Sequence, residues 1–103
     1  MDLNIKMAVP SKSKVFMNLY LVERLDAGGY DSYSEFVICC ANDDFARNTH
    51  PDEGYEWYKS ERYMPRYNSW VQVDAIDTLK VTLLGQASPD LEPGVIISSF
   101  HAG

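Results

Sequence analysis

The sequence predicts an α+β domain: a small four-stranded, mainly antiparallel sheet with one short helix and an aromatic-rich insertion, in the order β-β-α-insert-β-β. Three observations predict it. Four short segments carry apolar residues at the strand period, and one capped segment between them reads as a helix. Residues 52–70 hold six of the thirteen aromatics (two Trp, seven Tyr and four Phe in all) without a period of either kind. The chain has 103 residues, 46% of them hydrophobic and 23% charged, which is the size and composition of one folded domain.

Residues 1–15 mix Pro10 with Lys6, Lys12 and Lys14 and are expected to form a flexible N-terminal arm. The domain is expected over residues 16–103. Phe16 to Glu23 reads as the first strand; both of its faces are largely apolar, as in a central strand. Asp26 to Ser32 is turn chemistry around Gly28 and Gly29. Glu35 to Ala41 reads as the second strand. Asn42 is an expected N-cap, with Asp43 and Asp44 where the macrodipole favours negative charge. The helix should run from Asp43 to about Thr49, packing Phe45, Ala46 and Thr49 inward, until Pro51 stops it. One or two helical turns fit around Glu56–Tyr63. Leu79–Leu84 and Val95–Phe100 read as the last two strands, separated by a loop with Pro89 and Pro93.

Charge and length exclude several classes. Fifteen acids against nine Lys and Arg give a net charge of −6, which disfavours sequence-general nucleic-acid binding, because that affinity rests on cations displacing counterions. The longest uninterrupted apolar stretch, Phe36–Ala41, has six residues, well short of the ~18 that span a bilayer. No secretory signal is read at the N-terminus, and the expected location is cytoplasmic.

Chemistry-bearing constellations are sparse. Cys39 and Cys40 are adjacent on a strand and point to opposite faces, so with His50 and His101 they offer no metal-ligand spacing; no metal or cofactor is expected. Ser98 or Ser99 with His101 is the one nucleophile pairing, without a nucleophile-elbow motif. Arg47 lies close to His50 at the end of the short helix, where Arg47 either meets an anion or pairs with Asp43. In the insertion, Trp57 and its neighbouring rings alternate with Arg62 and Arg66, a composition found in binding patches. The same rings, with Trp70, equally serve to cover a sheet that four strands alone cannot bury.

Several stretches together form a pattern: the leading strand, Gly29-Tyr30-Asp31 and the aromatic Tyr33, Ala46-Arg47-x-x-His50-Pro51, and the terminal Ser99-Phe100-His101-Ala102-Gly103. The chain resembles a group of short phage-encoded accessory proteins over residues 19–103 apart from the insertion, with His101 standing where Asn is more usual. That resemblance implies a non-catalytic binding protein that counteracts host defence by occupying a host protein or sequestering a small, nucleotide-like ligand in the host cytoplasm. The expected contacts are Tyr30, Asp31, Tyr33, Arg47, His50, Trp57, Arg62, Arg66, Ser99 and His101. A homo-oligomer is compatible with the small size. A small hydrolase or phosphodiesterase using His50 or His101, and a minor virion structural or assembly factor, are the competing classes.

Overall fold

The structure is a computed structural model and describes residues 16–26 and 31–101. The elements are β1 (Asn18–Glu23), β2 (Ser32–Cys40), α1 (Asp43–Arg47), β3 (Thr49–His50), β4 (Gly54–Tyr55), β5 (Lys80–Gln86) and β6 (Gly94–His101). Three 3-10 segments, Trp57–Lys59, Pro65–Tyr67 and Val73–Thr78, fill the stretch between β4 and β5. The predicted arm, residues 1–15, and Tyr30 with the tip of its loop lie outside the described residues.

The fold is the expected α+β arrangement. Four strands form one antiparallel sheet in the order β5-β1-β2-β6, so the doubly apolar first strand is indeed central. A two-strand hairpin, β3 with β4, was not legible, because two residues per strand carry no period. β2 begins three residues earlier than periodicity indicates. The pairing steps from Tyr33↔Phe100 to Glu35↔Ser99, which leaves Ser34 as an extra residue and resets the alternation of faces. On β5, Leu83 and Leu84 are both exposed at the sheet edge, where the register with β1 shifts.

Asn42 caps α1 as its chemistry requires, its Oδ1 accepting from the Phe45 N–H at 2.8 Å. The helix nevertheless stops at Arg47, two residues short of the expected end. The Thr49 hydroxyl donates to the Phe45 carbonyl at 2.6 Å, and Thr49 and His50 leave the helix to pair with Tyr55 and Gly54. Gly54 takes φ 93°, a conformation that suits glycine where this hairpin turns back. Phe45 does not face the sheet; it stacks on Tyr55 at 4.2 Å with ring planes 2° apart.

The core lies on one face of the sheet. Tyr20, Val22, Phe36, Ile38 and Cys40 point into it and are covered by Ala46, Trp57, Trp70, Val71, Ile76 and Leu79. Each large side chain so buried stabilises the fold by roughly 1.5–3 kcal/mol, so the covering layer is as necessary as the sheet. Cys39 and Cys40 are both buried and free, and burial pushes both thiols above their ordinary pKa.

Candidate functional site

The site is built around His50. The turn after β3 brings the backbone N–H groups of Asp52 and Glu53 to its Nδ1 at 2.9 and 3.0 Å. An imidazole nitrogen that accepts two donors carries no proton, so the neutral ring holds its hydrogen on Nε2. That hydrogen is directed at Ser69 Oγ, 3.3 Å away. The ring is 2% exposed. Burial lowers its pKa below the ordinary 6.5, partly offset by Glu53, by a hydrogen bond with Asn68 and by Asp52. Tyr33 and Trp57 meet the ring edge-on at 6.1 and 5.6 Å.

Ser69 is held from two sides. Its carbonyl accepts from the Tyr33 N–H on β2 at 2.9 Å. The neighbouring Asn68 side chain accepts from Trp70 N at 3.1 Å and donates to the Val71 carbonyl at 2.6 Å, which fixes this turn. His50, Ser69 and Trp57 then wall a cavity of about 170 Å³ together with Glu53 and Ser60. Arg62, Tyr63, Met64, Tyr67 and Asn68 form the rest of its lining.

The indole N–H groups of Trp57 and Trp70 are both buried without a hydrogen-bond partner among the described residues and have no accessible surface, so neither is presented to the cavity. Among the described residues the exposed Arg62 guanidinium makes no ion pair, whereas Lys59 is engaged with Glu56 at 3.0 Å. Ser69 supplies a donor, because its oxygen accepts from His50 and its own proton remains available. A histidine that activates a serine must present an unprotonated nitrogen to it. Here the proton sits on the nitrogen facing Ser69, and the pair serves as an oriented donor.

The structure gathers only part of the expected contact set. His50, Trp57 and Arg62 line the cavity, and Tyr33 packs behind His50. Trp57 is at the same time a core side chain, 4% exposed. Arg66 is exposed on its 3-10 turn and does not line the cavity. Arg47 binds neither Asp43 nor a pocket: its Nη1 donates to the carbonyls of Ile76 and Leu79 at 3.3 and 2.7 Å. Nor does it share a helix with His50, which belongs to β3. Asp31 and His101 meet through their backbones, the Asp31 N–H donating to the His101 carbonyl. Ser99 lines a separate apolar groove with Leu21, Val37 and Ile97.

Sequence reasoning missed Ser69, Glu53, Tyr63 and Tyr67 as wall residues. It sought a serine near His101 on the same strand, whereas the serine that meets a histidine lies 19 positions from it in another loop. The cation stacked on a tryptophan is Arg24, 5.7 Å from the Trp70 ring, and not an arginine of the insertion. No family model, curated protein or solved structure matches the chain.

Proposed function

We propose that this chain is a non-catalytic binding protein that sequesters a small ligand by taking one planar ring of it into the cavity beside His50. The observation that carries the reading is the cavity itself: about 170 Å³, walled by Trp57, Tyr63 and Tyr67, with Arg62, which makes no ion pair among the described residues, in its lining. Its size decides what enters. A void of ~150 Å³ accommodates benzene, while whole drug-sized ligands need roughly 300–1,000 Å³. A single ring fits inside, and the remainder of a nucleotide-like ligand stays outside, within reach of the Arg62 guanidinium.

Two further points support a binder over a hydrolase. The hydrogen on His50 Nε2 leaves Ser69 without a general base, and burial keeps that ring from gaining a second proton near neutral pH. The setting, a phage-encoded protein acting against host defence in the host cytoplasm, rests on the resemblance of the Gly-Tyr-Asp turn, the Ala-Arg-x-x-His-Pro segment and the C-terminal stretch.

The test uses the purified full chain, equilibrated with a small-molecule extract of host cells, recovered by ultrafiltration and denatured. Mass spectrometry of the released fraction should show a ring-bearing compound in unaltered form. Arg62→Ala combined with Arg66→Ala should release it while shifting Tm by no more than a degree or two, since both side chains are exposed and unpaired among the described residues. Chemical conversion of the compound, or a large Tm loss in the double variant, would overturn the reading.

A further inference from the structure

We infer that this chain forms a two-fold dimer through its outermost strand, β6 pairing antiparallel with β6 of a second copy so that two four-stranded sheets become one. β6 does not line the cavity beside His50. In the order β5-β1-β2-β6 it bonds to β2 on one side, and among the described residues no strand lies on the other. Such an edge presents backbone N–H and C=O groups that another strand can take up, and soluble proteins blunt it with charge, proline or a bulge. The stretch Gly94–His101 contains no Lys, Arg, Asp, Glu or Pro. An extra residue, Ile96, interrupts its pairing near one end, but from Ile97 to His101 every residue of β6 has a partner on β2. The opposite edge is blunted. β5 starts on Lys80, and its register with β1 shifts beside Gly85, whose φ is 152°.

A second copy fits this edge because the strand is its own complement. Directly opposed residues of antiparallel strands share a face, so a two-fold axis perpendicular to the sheet must pass through a pair of identical residues. Centring it on Ser99 uses the whole run Ile97–His101. Ser99 then meets Ser99 of the second copy, Ile97 meets His101, and Ser98 meets Phe100. Ile97 and Phe100, 64% and 46% exposed, lose contact with water there, and two small hydroxyl side chains sit at the axis. The carboxylate beside the axis belongs to Glu35, which pairs with Ser99 from β2. Three strand spacings of ~4.8 Å hold the two Glu35 positions about 14 Å apart. That exceeds the ~8 Å Debye length at physiological ionic strength, so the two acidic chains are screened from each other along this line. One strand pair is a small interface, of the class below ~1,200 Å² that associates weakly and reversibly, and the expected Kd is roughly 1–100 μM.

The experiment is sedimentation equilibrium of the full chain across about 1 μM to 1 mM. The mass should rise from that of one chain to that of two. Ser99→Lys sets two like charges face to face at the axis and should raise Kd at least about tenfold. Leu84→Lys, on the β5 edge, should leave Kd unchanged. Ser99→Cys should oxidise to a disulfide-linked dimer, since directly opposed residues bring their Cα atoms to ~4.5–5.5 Å, within disulfide reach. The native Cys39 and Cys40 are buried and do not compete, and Leu84→Cys at the same concentration should cross-link far more slowly. A single-chain mass over the whole range overturns the proposal, and protected β6 amides in such a monomer would mean that another segment of the chain occupies the edge. A dimer that Ser99→Lys leaves intact places the interface elsewhere and overturns it too. If the lysine variant fails to fold, the cysteine pair decides: Ser99→Cys cross-linking no faster than Leu84→Cys rules the pairing out.

Discussion

His50 shows how a single side chain can be fixed by its surroundings more firmly than its pKa alone conveys. Protonating the buried ring would place a charge in the core and turn a third N–H toward the two backbone donors at Nδ1. The folded-state pKa is therefore depressed, while the unfolded chain titrates near 6.5. The unfolded state binds the extra proton first, so the contribution is intact above 6.5 and is lost as the pH falls from there. Tm should decline as the pH falls below 6.5 in the native chain, and His50→Gln should flatten that decline. Parallel Tm–pH curves for the two proteins would show that the ring is not the titrating group. Arg47 makes a different point. Its charge is used on two carbonyls 29 and 32 positions away, partners that no local spacing reveals. Arg47→Met should cost about 2 kcal/mol in denaturant unfolding, the scale of losing hydrogen bonds from a charged donor, and leave ligand binding unchanged.

The elements were legible where a period or a cap announced them. β1 and β2 alternate over many residues, and Asn42 marks the start of α1 with a side chain suited to nothing else in that position. The insertion was not legible, for a physical reason. It is made of 3-10 turns and a two-residue strand pair, whose geometry is set by what they pack on and not by any repeat of their own. Its dual composition admitted both a core and a surface, and the structure divides it by residue. Trp70 packs edge-on against Phe36 at 5.3 Å and is 2% exposed, whereas Tyr67 is 80% exposed. Trp70→Ala should therefore cost roughly 3–5 kcal/mol, while Tyr67→Ser should stay within about 0.5 kcal/mol and weaken only ligand uptake. Equal destabilisation by the two would contradict this division of labour.

On the scale of the whole molecule, the sheet and the insertion are two layers of one core. The inner face of the sheet presents Tyr20, Val22, Phe36 and Ile38, more apolar surface than the short helix can cover with Ala46, its one buried residue. Trp57 and Trp70, with the Val71–Leu79 stretch beyond them, supply the missing layer. The same requirement creates the site: the loops that lower two indoles onto the sheet must turn at His50 and Ser69, and the space left beneath Tyr63 and Tyr67 is the cavity. The sequence alone left the insertion open between a cover for the sheet and a surface patch, because each strand could be drawn without it; which residues do the covering appears only when faces are counted. Replacing residues 52–69 by a short Gly-Ser linker should accordingly abolish cooperative thermal unfolding and near-ultraviolet circular dichroism, even though every strand of the main sheet and α1 is retained in sequence. A variant of this kind that still melted in one sharp transition would mean that the sheet finds cover elsewhere, and that site and scaffold are separable after all.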